Sequence, residues 1–274
     1  MSGTLYVVGT PIGNLGDLSP RALETLQNCD FIAAEDTRVT LKLLNHFGFK
    51  KPMISYHDHN RAMRGGEIVD RLLNGENCAL VTDAGMPAIS DPGEDLAALC
   101  YEHQIPVCAV PGPSAVITAL AVSGMPAARF AFEGFLTRAK PGRRERLEEL
   151  KGEKRTLVFY EAPHKLPATL ADMYEAFGDR EIALVKELTK IHEHVERTTL
   201  AAAAEAYRDA SPKGEFVLIV AGAPEDEAPA GTKEDGVAYA KRLIAEGKTP
   251  SEAAREAAAA TGCRRKDIYQ ELTR

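Results

Sequence analysis

The sequence predicts two α/β domains, the first on a parallel sheet and the second on a mixed sheet, followed by a small helical C-terminal tail. Short apolar runs alternate with helical patterns through roughly the first 110 residues, which is typical of a parallel sheet covered on both faces. Later strand-like segments alternate apolar and polar residues, which indicates a half-exposed sheet. An acidic segment rich in Pro and Ala then precedes three helical patterns.

Five nearly continuous apolar runs predict the strands of the first sheet. They are residues 5–8, 31–34, 53–56, 79–82 and 107–110. Helix starts are predicted at Ser19 with Pro20, and at Asp91 with Pro92. At an N-cap, the side-chain oxygen of Ser or Asp accepts a hydrogen bond from a backbone N–H of the first turn, and Pro is favourable in that turn. Two apolar stripes are expected to face the core: Leu41, Leu44 and Phe47, and Leu96, Leu99 and His103.

The pattern changes after Pro111. Phe130 and Phe132 alternate with other residues, and further strands are predicted at 156–160, 181–188 and 216–221, with 192–199 pairing antiparallel. We expect an N-terminal domain at 1–115, a second domain at 116–223, and a linker and helical tail at 224–274. The tail helices are predicted at 237–246, 251–260 and 267–272, after a solvated linker that begins at residue 223.

Composition excludes several classes of protein. No run of eighteen apolar residues is present, so no membrane span is expected, and the first residues lack the pattern of a secretory signal. The five cysteines are an odd number and form no CxxC pair, which favours a reduced, cytoplasmic setting. The pairs His57/His59 and His192/His194 lack neighbours that would complete a zinc site, so no metal is expected.

Charge is unevenly distributed along the chain. The formal net charge is −7, but residues 138–155 contain eight cations against four glutamates, and a second basic cluster follows Gly262. Such clusters are candidate contacts for the phosphates of a nucleic acid. The candidates are Arg138, Arg143, Arg144, Arg264, Arg265 and Lys266.

Glycine-rich and polar loops follow most of the predicted strands. Ligands of α/β sheets bind at the carboxyl ends of the strands, and Gly and Pro give stiff loops that present backbone groups closely. The loop after the first strand is neither GxGxxG nor a P-loop. The loops contain no metal cluster, no Ser-His-Asp order and no reactive thiol setting, which argues against a covalent hydrolase.

Six of these segments resemble the tetrapyrrole methylase superfamily, and within it the small-subunit rRNA (cytidine-2′-O)-methyltransferases. They are residues 8–15, 34–38, 83–87 with 90–93, 111–115, 160–164 and 214–217, in the same order. The resemblance runs from about residue 4 to residue 222. Two mild departures are Lys186 and Lys165, where arginine is more familiar. Lysine cannot make the bidentate contact that arginine makes with phosphate.

The resemblance implies S-adenosylmethionine (AdoMet) bound in a cleft between two α/β domains, a small-subunit rRNA or 30S substrate, and a homodimer without metal or membrane. The residues that it places at the cofactor are Pro11, Gly13, Asp83, Gly85, Pro87, Ile89, Ser114, Ala115, Phe159, Tyr160, Thr189 and Glu215. The six cations named above are then candidate RNA contacts.

A ribose hydroxyl is a poor nucleophile at neutral pH, so a nearby base or cation should assist its methylation. Glu35 and Glu161 are possible bases, but our candidates for catalysis are Lys186, Glu187, Lys190, Asp36 and Arg38. Two alternatives stay open: an enzyme of the same superfamily acting on a tetrapyrrole or another small substrate, and a non-catalytic RNA-binding module.

Overall fold

The computed structural model describes residues 1–224 and 232–273, which form two compact units, 1–222 and 223–274. The first sheet of unit 1 contains strands β1 (Leu5–Val8), β2 (Phe31–Ala34), β3 (Met53–Ser55), β4 (Cys78–Val81) and β5 (Val107–Val110). Their order is β3-β2-β4-β1-β5, and every neighbouring pair is parallel. The predicted parallel sheet is therefore confirmed.

Helices cover both faces of this sheet. They are α1 (Pro20–Asn28), α2 (Thr37–His46), α3 (Arg61–Leu73) and α4 (Glu94–Glu102). Side chains of α1 and α2 pack with one face of the strands, and those of α3 and α4 pack with the other. Ser19 caps α1 as predicted, because its hydroxyl accepts a hydrogen bond from the backbone N–H of Ala22.

Three expectations for these helices are wrong. Helix α4 begins at Glu94 with Gly93 as its N-cap, because residues 91 and 92 continue the preceding loop. Leu41 is 41% exposed, and the helix instead buries Thr40 and Leu44. His103 is exposed, and Cys100 takes the expected inner position.

The second sheet is mixed, as predicted. It contains β6 (Phe130–Phe135), β7 (Thr156–Glu161), β8 (Glu181–Lys186), β9 (His194–Thr199) and β10 (Phe216–Val220). Their order is β6-β7-β10-β8-β9, in which β6 and β7 are parallel and the other neighbours antiparallel.

Four helices pack on the two faces of the second sheet. They are α5 (Ala115–Ser123), α6 (Lys140–Leu150), α7 (Leu166–Phe177) and α8 (Leu200–Tyr207). Helix α5 covers one face, while α6, α7 and α8 cover the other. Side chains of a strand point alternately to the two faces, so Phe159 faces α7 and its neighbour Tyr160 faces the α5 side.

Strand β5 lies at the edge of the first sheet, and neighbouring elements bury it only in part. Cys108 and Ala109 are exposed, contrary to the expectation of a sheet buried throughout. Ile117 and Val122, on α5, are also exposed, at 55% and 44%. The described part of unit 1 therefore presents apolar side chains to its surroundings at β5 and α5.

Unit 2 contains the three expected helices, α9 (Lys233–Ala245), α10 (Pro250–Thr261) and α11 (Arg265–Leu272). Capping boxes at Thr232 and Thr249 start the first two. The helices enclose a small core of their own, which includes Val237, Leu243 and Ile268. Most of the expected linker lies outside the described residues. No helix of the described chain is long and apolar enough to cross a membrane.

Candidate functional site

A cleft of about 520 Å³ opens at the carboxyl ends of the parallel strands of unit 1. Its first wall comes from the loops after β1, β2, β4 and β5. Its second wall comes from the ends of β6, β7 and β8 and the start of β10, in the second sheet. The size lies within the range of about 300–1,000 Å³ that is usual for small-molecule sites.

The loop after β1 is fastened to the loop after β4. The backbones of Thr10 and Gly85 exchange two hydrogen bonds, at 2.9 and 3.1 Å. The buried Thr10 hydroxyl also donates to the carbonyl of Thr82 at 3.1 Å. These bonds fix the backbone of Gly85 at the cleft wall.

Three carboxylates line this wall: Glu35, Asp83 and Asp91. Glu35 accepts a hydrogen bond from the Asp83 backbone N–H, and Asp83 accepts one from the Asp36 backbone N–H, each at 3.2 Å. Burial is the largest cause of the raised pKa of all three groups, and repulsion from neighbouring carboxylates adds to it. These groups therefore bind protons more readily than surface carboxylates, and a nearby cation would relieve their repulsion.

An aromatic pair stands at the other wall. The rings of Tyr160 and Phe135 lie 5.3 Å apart, and Phe132 packs edge-on against Tyr160 at 5.0 Å. Burial raises the pKa of Tyr160 to about 12, so its hydroxyl stays protonated near neutral pH. Phe135, by contrast, is 57% exposed.

The loop after β8 brings the proposed catalytic group to the edge of the cleft. Lys190 Nζ lies 2.9 Å from Glu187 Oε1 and 2.8 Å from Glu215 Oε2, and Glu215 lines the cleft. Burial alone would lower the pKa of Lys190, but hydrogen bonds to Glu215 and Glu187 raise it. The hydrogen bond from Lys190 lowers the pKa of Glu187, and the Glu215 N–H adds to this. Glu187 is thus held as an anion that positions Lys190.

This loop also meets the loop after β1. A Cβ added at Gly13 would lie 2.7 Å from Cγ of Lys190 and 3.1 Å from the Thr189 hydroxyl oxygen. Glu187 and Thr189 adopt positive φ angles of 52° and 64°, which side chains rarely adopt and which recur at functional sites. The Thr189 hydroxyl is buried without a hydrogen-bond partner in the described chain.

The expected catalytic residues fall into two places. Lys186 ends β8, and Glu187 and Lys190 lie in the loop that follows. Lys186 Nζ lies 5.8 Å from the centre of the Phe216 ring. Asp36 caps α2 by accepting from the Arg38 N–H and pairs with the Arg38 guanidinium at 2.6 Å. That ion pair lowers the pKa of Asp36 to about 2. None of the five expected catalytic residues is in the cleft lining, although Leu188 and Glu215, next to the β8 group, are.

The structure brings seven of the twelve expected cofactor residues to the cleft lining: Asp83, Gly85, Ile89, Ser114, Ala115, Tyr160 and Glu215. Pro11, Gly13, Pro87, Phe159 and Thr189 lie outside that lining. The ring of Phe159 points into the core on the opposite face of the sheet. Only its main chain can therefore serve a ligand.

Asp91 and Phe135 line the cleft but were not among the expected cofactor or catalytic residues. Asp91 was interpreted as a helix cap, although its place in a polar loop after a strand was a usable signal. The alternating pattern around Phe135 did not indicate that its ring lies at the cleft, because a one-residue shift in strand register moves a side chain to the other face of the sheet.

The basic stretch at residues 138–155 is mostly neutralised by ion pairs. Arg143 is only 6% exposed and bonds Asp172 through two nitrogens, at 2.8 and 2.5 Å. Its assignment to an RNA contact is therefore wrong, because its guanidinium lies inside the fold. Arg144 is partly exposed and pairs with Asp172 and Glu175.

Other candidate RNA contacts remain on the surface. The side chain of Arg138 is exposed and has no ion-pair partner in the described chain, and the same is true of Lys140, which lies in the same basic stretch but was not among the candidates. In unit 2, Arg264, Arg265 and Lys266 are exposed, and Arg265 donates to the Ser251 hydroxyl at 3.0 Å.

The two sheets and the cleft between their loops are those of a known class: the chain belongs to the tetrapyrrole (corrin/porphyrin) methylase family, whose model matches residues 4–204. It is thus an enzyme of a methyltransferase family. The relative named ribosomal RNA small subunit methyltransferase I from Synechocystis sp. is 49% identical over 269 residues, which are 98% of this chain and 96% of that protein.

Two further comparisons bear on the tail and on the fold. A relative of the same name from Thermotoga maritima is 47% identical over 220 residues, which cover 80% of this chain but 99% of that protein. A structure of uroporphyrin-III C-methyltransferase from Thermus thermophilus, complexed with S-adenyl homocysteine, has a TM-score of 0.55 and 17% identity. It covers 79% of this chain and 97% of its own, and it shows the likeness in fold.

Proposed function

We propose that this chain uses AdoMet to methylate the 2′-hydroxyl of a cytidine ribose in small-subunit (16S) rRNA. Similarity over almost the whole chain to relatives named for small-subunit rRNA methylation supports the substrate class. The observation in the structure that carries the proposal is the charge of the cleft. Its lining in the described chain includes five carboxylates and no Lys or Arg.

These residues fit AdoMet. The cofactor carries a sulfonium and an ammonium group, and the carboxylates of Glu35, Asp83 and Asp91 offer opposite charge in a partly buried setting. The buried Thr189 hydroxyl, in the loop beside the same cleft, has no hydrogen-bond partner in the described chain. Buried polar groups are normally hydrogen-bonded. The backbone of Gly85 and the N-terminus of α5 at Ser114 can contribute main-chain donors and acceptors.

When bound, AdoMet supplies a methyl group that its sulfonium has already activated. The chain's own residues then have to orient the ribose hydroxyl and accept its proton. Positioning alone can supply several kcal/mol of the barrier. Glu35, Asp83 and Asp91 are the available proton acceptors, because their raised pKa values bring them closer to the working pH. Lys190, held by Glu187 and Glu215, places a cation beside the reacting region.

Mapping the methyl groups of small-subunit rRNA by mass spectrometry tests the proposal. Deleting the gene should remove one ribose methyl group from a cytidine, and the purified protein should restore it on 30S subunits from the deleted strain. A porphyrin precursor serves as the competing substrate. Transfer to the porphyrin but not to rRNA would contradict the proposal, and so would an unchanged rRNA methylation map.

The exposed cations ahead of and within α6 are expected to contact RNA phosphates. Arg138→Glu combined with Lys140→Glu should weaken RNA binding and flatten its salt dependence, by roughly 0.7–0.9 in the log–log slope for each phosphate that is no longer neutralised. AdoMet affinity should not change. Binding measured by filter retention across a salt series checks this. Lys42→Glu with Lys50→Glu alters the charge equally and is the matched control, and equal slopes for the two variants would exclude this surface.

We expect the tail to promote methyl transfer to RNA without contributing to the AdoMet site. Truncation after Gly222 should leave a folded protein that binds AdoMet but methylates subunits poorly. The tail has its own core, and the Thermotoga maritima relative leaves unmatched about a fifth of this chain, a length close to that of unit 2. Calorimetry and thermal melting provide the measurements. If the truncated protein instead lost AdoMet binding and melted several degrees lower, the role of the tail would be structural.

We also propose that the enzyme is a cytoplasmic homodimer. The exposed apolar side chains of β5 and α5, including Ala109, Ile117 and Val122, suit burial against a second copy. An edge strand usually requires cover of this kind. The cytoplasm is where rRNA is available as a substrate.

A further inference from the structure

Strand β6 contains a bulge that turns one aromatic ring toward the cleft. Its register with β7 shifts between Phe132, paired with Val158, and Gly134, paired with Phe159. Gly134 has a φ of +63°, a left-handed conformation that glycine adopts readily. Because of the extra residue, Phe135 pairs with Tyr160 and joins its face of the sheet. Bulges of this kind often re-aim a side chain beside an active site.

The ring so placed is not needed by the core. Phe135 is 57% exposed although it lines the cleft, whereas Phe132 is partly buried and packs edge-on against Tyr160. Tyr160 supports one side of the Phe135 ring at 5.3 Å. Because the Phe135 ring is largely exposed, it contributes little of the stabilisation that a buried aromatic ring would give. The stability of the fold therefore does not explain an aromatic residue here.

The surroundings of the ring are suited to a nucleotide. Lys165 Nζ lies 5.9 Å from its centre, and the exposed Arg138 and Lys140 follow a few residues along the chain. Gly134 lies close to Ser90 of the cleft lining, whose hydroxyl oxygen would be 3.9 Å from a Cβ added at Gly134. An exposed aromatic ring with cations nearby is the arrangement on which unpaired bases stack.

We propose that Phe135 is the platform on which the base of the target nucleotide stacks while its ribose reaches into the cleft. This inference rests on the proposed function. A 2′-hydroxyl can reach into the cleft only if its nucleotide leaves the neighbouring stack. The displaced base then needs a new surface next to its ribose. Phe135, at the cleft and largely open to solvent, provides that surface, with Lys165 available for the adjoining phosphate.

Methyl transfer to 30S subunits tests the platform with paired substitutions. Phe135→Leu keeps an apolar side chain without a flat ring, and transfer should fall about 5- to 100-fold, the range expected for losing one base–aromatic stack. Phe135→Tyr keeps the ring and should restore transfer. The AdoMet dissociation constant and the melting temperature should stay at wild-type values in both. Tyr101→Leu, at a 70% exposed position outside the cleft, is the matched control.

A fluorescence measurement detects the stack without relying on activity. The chain has no tryptophan, so Phe135→Trp, made with 7-azatryptophan, can be excited apart from the tryptophans of ribosomal proteins. Adding subunits should quench its emission, and the same substitution at Tyr101 should not respond.

Four results would overturn the proposal. Wild-type transfer by Phe135→Leu, or no quenching at position 135, would remove the platform while leaving the proposed function intact. Weaker AdoMet binding by Phe135→Leu would assign the ring to the cofactor. Absence of transfer to subunits by the wild-type enzyme would overturn the proposed function, and this inference with it.

Discussion

Asp172→Ala is expected to lower the free energy of unfolding of unit 1 by about 3–5 kcal/mol, as removal of one partner from a buried ion pair does. The Asp172 side chain is 4% exposed and forms ion pairs with both Arg143 and Arg144. Without it, the one hydrogen bond that the buried Arg143 guanidinium keeps within the described residues is a weak one, at 3.4 Å, to the Arg138 carbonyl. Urea denaturation followed by circular dichroism measures the change.

Glu175→Ala is the matched control for this prediction. Glu175 also pairs with Arg144, but its side chain is 62% exposed, and exposed ion pairs contribute about 0–1 kcal/mol. Its removal should therefore have little effect. If the two variants lost the same stability, the Arg143–Asp172 pair would not be what holds α6 against α7.

Gly112→Ala is expected to weaken AdoMet binding about 5- to 150-fold, because overpacking of close contacts typically costs about 1–3 kcal/mol. A Cβ at Gly112 would lie 2.7 Å from the carbonyl oxygen of Gly9. The loops after β1 and β5 would have to separate, which would displace both Thr10 with its bonds to Gly85 and Ser114 at the cleft wall. Isothermal calorimetry measures the affinity.

Gly66→Ala makes the same chemical change where there is room for it. Gly66 lies inside α3, and an added Cβ would have no atom within 4 Å. Alanine there should leave AdoMet affinity unchanged and raise stability by about 0.5–1 kcal/mol, because glycine disfavours a helix interior. Undiminished affinity in Gly112→Ala would show that the loops after β1 and β5 do not shape the cofactor site.

Local patterns predicted most of the elements correctly. Strands β1, β2 and β5 have the predicted bounds, and Ser19 caps α1 as expected. Such features depend on side-chain periodicity and on hydrogen bonds within a few residues, which sequence displays directly. Asp91 with Pro92 has the same appearance as a helix start, yet the chain continues as a loop to Gly93. There the packing of the cleft wall prevailed over a local preference.

Charge patterns were less informative than apolar ones. Residues 138–155 look like a basic surface, but Arg143 is buried against Asp172, 29 residues further along the chain. A count of charges along a sequence cannot show which of them meet a partner from another helix. Arg138, which remains a candidate, and its neighbour Lys140 lie at or just before the start of α6 and are exposed.

By itself the sequence determined the two α/β sheets, the helical tail and the polar, glycine-rich loops that follow the strands, because these follow from periodicity and local backbone preferences. Only the tertiary structure decided which of those loops' side chains share one cleft. It set Glu35, Asp83 and Asp91 at one wall, placed Lys190 between Glu187 and Glu215, and turned Phe135 toward the opening. Strand order and the register of a single bulge bring together residues from distant parts of the chain, and no local pattern encodes either.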